Sequence, residues 1–381
     1  MNTMPQFLTG RNPVTGESQT VRFADGMITA IESGPEDEHS WLAPGLVDLQ
    51  VNGYCGEDFN ADSLTVETVQ RAARQMLQTG VTTFLPTIIT GAEEKIVANL
   101  RIIAQARHDD PLTAHMIPCV HVEGPHIAPE DGPRGAHPLE HVRPPDVAEF
   151  SRWQAACGNL VGLVTLSPHY SNAPEYIHAL TQLGVHVSLG HTGASPEQIH
   201  AATAAGACLS THLGNGVANP LPRHPNLIWA QLADDRLTAT LIADGHHLPA
   251  DTLQVMLRAK TLDRALLVSD LVMLAGLPPG KYETPVGGSV ELHAAGRLNV
   301  AGTNFLAGAT ATLKDAVAYV AANTSYSLGD AVRLATQNPG RYVGSRGMLA
   351  VGAPADLIRF QWQPGAATLT MDDVVVQGMR A

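Results

Sequence analysis

Met116-Ile117-Pro118-Cys119-Val120-His121-Val122-Glu123-Gly124-Pro125 reads as one strand and its exit. The run opens apolar and β-prone and ends on a carboxylate followed by a turn. An apolar run of this length fits a strand buried on both faces. Gly124-Pro125 stops it, because proline cannot donate to a ladder. Glu123 then stands at the C-terminal lip of a buried strand. Taken alone, it also reads as a solvated residue entering a loop. Two later runs, Val187-Ser188-Leu189-Gly190-His191 and Cys208-Leu209-Ser210-Thr211-His212, end in the same way on a ligand-type side chain. In a barrel of parallel strands, the C-terminal ends carry the chemistry. Glu, His and His at three such ends make a donor set for a divalent metal with an open position.

Outward from this run, the chain from Pro44 alternates strand and helix. Strand patterns fall at 45–51, 81–87, 116–122, 160–166, 186–189, 208–213, 238–243 and 265–269. Helical patterns at 65–78, 93–107 and 251–260 lie between them. Eight strands alternating with helices predict a parallel (β/α)8 barrel of the TIM type. The stretch 213–238 is rich in Gly, Asn and Pro and reads as an active-site loop. Before the barrel, 7–9, 19–23 and 27–31 read as strands, with Asp25-Gly26 as a hairpin turn. After the eighth strand come β-like alternation in 289–293, helical patterns at 309–322 and 327–336, and strands at 355–360 and 371–378. The expected organisation is a barrel over 44–345, with a small β-sandwich domain built from both termini, 1–43 and 346–381.

The composition narrows the function classes. A chain of 381 residues with 44% hydrophobic and 15% charged residues is ordinary for a soluble enzyme. A net charge of -13 argues against nucleic acid or an anionic membrane as the main partner. The first ten residues lack a basic start followed by a long apolar core, so no signal peptide is expected, and no run approaches a membrane span. Cys55, Cys119, Cys157 and Cys208 are widely spaced, which fits free thiols in a cytoplasmic protein. Seventeen histidines point to metal binding or acid–base work.

The ordered set of motifs resembles the amidohydrolase superfamily, and within it the N-acetylglucosamine-6-phosphate deacetylases. The resemblance rests on Pro44-Gly45-Leu46-Val47-Asp48-Leu49-Gln50-Val51-Asn52-Gly53, His121-Val122-Glu123-Gly124-Pro125, Gly135-Ala136-His137, Gly190-His191-Thr192, Thr211-His212-Leu213, Ile242-Ala243-Asp244-Gly245, Ser269-Asp270 and Leu306-Ala307-Gly308. These keep the family order from about residue 40 to 360. Many amidohydrolases carry His-x-His at the end of the first strand to bind a second metal; here those positions read Gln50-Val51-Asn52. Neutral amides are poor ligands for zinc-like ions, so a single-metal site of Glu123, His191 and His212 is expected, with zinc first and ferrous or another divalent ion as the alternative.

The resemblance also implies roles. Asp270 would be general base and acid, and His137 the donor to the amide oxygen. Asn215, Gly216, Arg223 and His247 would hold the sugar phosphate. In the family this Arg can come from a partner subunit, which implies a homodimer. The implied reaction is metal-dependent hydrolysis of the N-acetyl group of N-acetylglucosamine 6-phosphate to glucosamine 6-phosphate and acetate. A deacylase of another N-acylated sugar or amine, with or without phosphate, is the alternative; a degenerate barrel that binds an amino sugar without chemistry is a third reading. Several positions depart from the family pattern: the loop 219–226 around Arg223, Leu271-Val272-Met273 after Asp270, His126, and His169 after the fourth strand. The last three groups are expected near the cavity mouth.

Overall fold

The computed structural model describes residues 6–284 and 288–381. The expectations for 1–5, and for 285–287 ahead of the 289–293 strand, lie outside the described residues. Eight parallel strands form one ladder in chain order: Leu46–Val51, Val81–Ile89, Val120–Glu123, Val161–Leu166, His186–Leu189, Leu209–Ser210, Thr238–Leu241 and Ala265–Leu267. Period-two alternation sorts their side chains. Val120, Val122, Val187 and Leu189 face the helices. Val47, Leu49, Leu163, Leu209, Leu266 and Val268 fill the barrel interior. Above this apolar plug lies a polar layer. His121 Nε2 and Thr165 Oγ1 are 2.8 Å apart, and Thr165 Oγ1 lies 2.7 Å from Thr211 Oγ1. Glu123, two residues beyond His121 on the same face, stands above that layer.

The barrel closes between the eighth and first strands through irregular contacts. Asp270 N donates to Gln50 O at 3.0 Å, and Asn52 N donates to Leu271 O at 2.8 Å. Asp48 is fully buried in this seam, where its Oδ1 accepts from Ser269 N at 3.1 Å and Gln50 N at 3.3 Å. Its Oδ2 has no partner among the described residues. Burial pushes the Asp48 carboxyl up to about 7. A carboxyl with a raised folded pKa keeps its proton where the unfolded chain has lost it. Its contribution is therefore lost as pH rises from about 4 to about 7. Asp48→Asn keeps the Oδ1 acceptor without the charge. Urea unfolding in chelator should show the variant more stable than wild type at pH 8, by on the order of 1–2 kcal/mol, with the difference fading at pH 5. A constant difference across that range would contradict the assignment.

Helix positions follow their caps. Thr65 accepts from Thr68 N to start Val66–Leu77. Ser195 and Gln198 form a reciprocal capping box at Pro196–Ala204. Two helices depart from the sequence reading. Residues 116–119 do not belong to the third strand: Pro111–Met116 is a helix, capped by Asp110 and begun by Pro111, a pairing that favours a helix start. Within the expected loop 213–238, Asn226 accepts from Ile228 N and Trp229 N and starts the short helix Leu227–Ala233.

Both termini meet in a seven-stranded sheet. From one edge its order is Met379–Arg380, Thr370–Val376, Leu357–Gln361, Trp41–Pro44, Gln6–Arg11, Ser18–Ala24 and Met27–Ser33. Leu8, Val21, Phe23, Leu42 and Leu357 form its own core. The alternate residues Ala43, Ile358 and Phe360 join the barrel's outer core. A third sheet, Gly280–Thr284, Gly288–Leu292 and Leu298–Val300, is antiparallel and packs on Leu274. No helix among the described residues is long and apolar enough to cross a membrane.

Candidate active site

Glu123, His191 and His212 converge at the C-terminal end of the barrel, all buried. His212 Nε2 lies 3.1 Å from Glu123 Oε1 and 3.1 Å from His191 Nε2, and His191 Nε2 lies 3.3 Å from Glu123 Oε1. His191 and His212 follow their strands with φ of 48° and 28°, and Asp270 has φ of 52°. Side chains in the left-handed region cost roughly 1–3 kcal/mol each. Three such residues at three strand ends mark where the fold spends stability to aim functional groups inward.

The residues fit a divalent ion. His191 Nδ1 lies 2.8 Å from Pro133 O. A carbonyl only accepts, so Nδ1 carries the proton and the neutral ring turns an Nε2 lone pair toward Glu123 and His212. Three electron-rich atoms facing one another in a buried site call for a cation. A tetrahedral ion with bonds of about 2.0–2.2 Å sets its ligand atoms roughly 3.3–3.6 Å apart, close to the spacing seen. Burial alone would raise the Glu123 pKa, but the two imidazoles of His191 and His212 facing it outweigh burial and hold it well below the carboxylate range. Burial alone would lower that of His212, and the Glu123 carboxylate raises it instead. Gly216, with φ of 56°, packs against both rings: a Cβ there would meet His191 Nδ1 at 2.9 Å and His212 Cε1 at 3.3 Å.

The two amides at the end of the first strand do specific work. Gln50 Nε2 donates to Glu123 Oε1 at 2.8 Å, and Asn52 Nδ2 donates to Asp270 Oδ1 at 2.8 Å. Burial, then the nearby Glu123 charge, pushes Asp270 up to about 6. His137 Nδ1 lies 2.8 Å from Thr90 Oγ1. Burial, then the neighbouring His191, lowers His137 to about 3, so its ring is neutral. His247 Nδ1 lies 2.6 Å from Asp244 Oδ2, and Asn215 N donates to His212 O at 2.9 Å.

These groups line one cavity of about 680 Å³. Glu123, His137, His191, His212, Asn215, Gly216, His247 and Asp270 all border it, as does Asn52; Asp58, Asn60 and Asp131 border it unforeseen by the sequence. The third sheet covers it with Val290, Leu298 and Val300. Arg223 is exposed on its loop and does not border the cavity of its own chain, and among the described lining residues there is no Lys or Arg. Val272 and Met273 border the cavity, and Leu271 is buried in the seam. The expectation for His126 is corrected. Its ring is buried, stacks on Trp153 at 5.7 Å and meets the edge of Tyr176 at 5.2 Å, because its side chain turns into the helix layer. His169 borders a separate small cavity beside Pro133 and Gly193.

The amidohydrolase family matches residues 41–380. The chain is 33% identical to an N-acetylgalactosamine-6-phosphate deacetylase of Escherichia coli O157:H7, over 87% of each chain. It is 35% identical to the N-acetylglucosamine-6-phosphate deacetylase of Bos taurus, over 83% of this chain and 78% of that one. Among solved structures, an N-acetyl-D-glucosamine-6-phosphate deacetylase mutant from Mycobacterium smegmatis, in complex with N-acetyl-D-glucosamine-6-phosphate, superposes with a TM-score of 0.86 at 28% identity, over 99% of both chains. The Thermotoga maritima deacetylase gives 0.84 at 25% identity, over 100% of this chain and 99% of that one. With the fold, the buried donor set and these likenesses together, the chain belongs to the amidohydrolase family, in the group of the N-acetylglucosamine-6-phosphate deacetylases.

Proposed function

We propose that the protein hydrolyses the N-acetyl group of N-acetylglucosamine 6-phosphate, giving glucosamine 6-phosphate and acetate. The observation that carries this is the convergence of Glu123, His191 and His212 in the cavity that Asp270 and His137 also border. The deacetylases that the chain resembles over most of its length supply the substrate class.

Glu123, His191 and His212 would hold one divalent ion, zinc by the chemistry of the donor set. When bound, such an ion supplies a Lewis acid that can bring the pKa of a water from 15.7 to about 7. Asp270 takes the proton of the attacking water. It is tied at Oδ1 by Asn52, and no other side chain of the described residues bonds it. It then delivers that proton to the departing nitrogen, which is too basic to leave as an anion. His137 stays neutral and donates from Nε2 to the amide oxygen as negative charge develops there, provided that the Thr90 hydroxyl donates to Nδ1. Asn215, Gly216 and His247 border the sugar end.

The phosphate calls for a strong cation, and the described residues that line the cavity include no Lys or Arg. Arg223, exposed on its loop, fits the role if it reaches into the cavity of a second copy, so the working form is a homodimer. Guanidinium suits phosphate because its planar fork makes two bonds. Arg223→Ala should then lower kcat/KM on the phosphorylated sugar roughly ten- to a hundredfold, in steady-state assays, with little change on the unphosphorylated one. An equal loss on both would make Arg223 structural. The four cysteines, all free thiols, support reading it as a cytoplasmic enzyme.

The test is acetate release from N-acetylglucosamine 6-phosphate, N-acetylgalactosamine 6-phosphate and their unphosphorylated forms. Release from the first is expected. The Escherichia coli relative makes the galactosamine epimer the second reading. Equal activity without phosphate would transfer the reading to another N-acyl sugar or amine.

A further inference from the structure

Gln50 and Asn52 stand where related enzymes place metal-binding histidines, yet here each amide bonds one carboxylate. Gln50 reaches the proposed metal ligand Glu123; Asn52 reaches Asp270. The bond from Asn52 is part of the barrel seam. Its own N–H donates to Leu271 O, and Asp270 N donates to Gln50 O. Backbone hydrogen bonds on both sides therefore fix the two residues relative to each other. The side-chain bond of 2.8 Å closes a ring across the first and eighth strands. Asn52 Oδ1 is buried without a partner, so the one side-chain hydrogen bond that Asn52 makes among the described residues is the one to Asp270.

Asp270 needs such a partner. Its backbone lies in the left-handed region, with φ of 52°, which aims the side chain but does not fix its last torsion. The χ2 torsion of Asp is broad and two-fold, so an untethered carboxylate would sample orientations that turn both oxygens away from the water. A donor on Oδ1 holds the plane and leaves Oδ2 for proton transfer. An amide does this without adding a charge beside the proposed metal centre and without being a good ligand itself.

We propose that Asn52 is a positioning residue for Asp270, orienting the carboxylate through Oδ1 so that Oδ2 faces the reacting water and nitrogen. This rests on the reading of Asp270 as general base and acid. It predicts an effect on turnover that exists only while Asp270 is present. Misplacing a reacting group by about 1 Å can cost on the order of a hundredfold.

The experiment compares Asn52→Leu, which keeps the shape and removes the donor, with Asn52→Ala. Both are assayed for acetate release from N-acetylglucosamine 6-phosphate, with metal content measured on the same samples. The expected result is kcat lower by roughly ten- to a hundredfold with KM nearly unchanged, and metal per chain as in wild type. Repeated in an Asp270→Ala background, under single-turnover conditions, Asn52→Leu should cause no further loss. Full additivity in that background overturns the proposal, as does unchanged kcat. A fall in metal content that accounts for the loss also overturns it. Failure of the underlying reading is seen separately, as wild-type protein that releases no acetate.

Discussion

Asp270→Asn should leave the fold and metal content intact and lower turnover by about 10²–10⁴-fold. The substitution is nearly isosteric, and the amide can still pair with Asn52 through its carbonyl oxygen. It can neither accept the proton of the attacking water nor deliver one to the departing nitrogen. Asp270 is suited to both jobs because burial and the Glu123 charge push it up to about 6, nearer neutrality than an ordinary carboxylate. A base whose pKa lies near the working pH is efficient in both directions. A cation at the neighbouring centre would pull that value down, so the acid limb of the pH profile should fall below 6 in the metal-loaded enzyme. Near-wild-type turnover in Asp270→Asn would remove Asp270 from the mechanism.

His212→Ala should have a comparable or larger effect, through a different cause. Nε2 of His212 is 3.1 Å from both other donors, so its loss opens the set to two ligands. Changing residues that merely support ligands commonly costs 10–100-fold in metal affinity, and losing a ligand costs more. The variant should purify with far less than one ion per chain and with activity at background. It should also melt below wild type even in chelator, because Glu123 loses His212, the imidazole whose protonated form its buried charge favours. Removing one partner of a buried pair typically costs about 3–5 kcal/mol. A variant that keeps its metal and its activity would show that the ion, if any, sits elsewhere.

Much of this was legible in the sequence. The strand–helix rhythm marked all eight barrel strands because fully buried strands are continuous apolar runs, and the turn residues after them are Gly, Pro or a ligand. Glu123, His191 and His212 were visible as polar side chains closing such runs. Asp110-Pro111 and Asn226 carried helix-start signals, but the apolar 116–119 and the Pro-rich 219–226 masked them. The supporting contacts were not legible for a physical reason. Pro133 acts on His191 through a carbonyl, and every residue has one. Thr90 serves His137 from 47 positions away. Asn52 reaches Asp270 across the barrel seam, 218 positions along the chain. Such partners are made by the fold, and no local pattern announces them. His126, expected near the cavity mouth, instead turns its side chain into the helix layer against Trp153.

The central claim is that one ion, held by Glu123, His191 and His212, suffices for hydrolysis of the N-acetyl group. It is tested most directly by titrating metal-free protein with zinc while following acetate release from N-acetylglucosamine 6-phosphate. The account predicts no release without metal and a linear rise that breaks at one equivalent per chain. A break at two equivalents, or full activity in the metal-free protein, would contradict it.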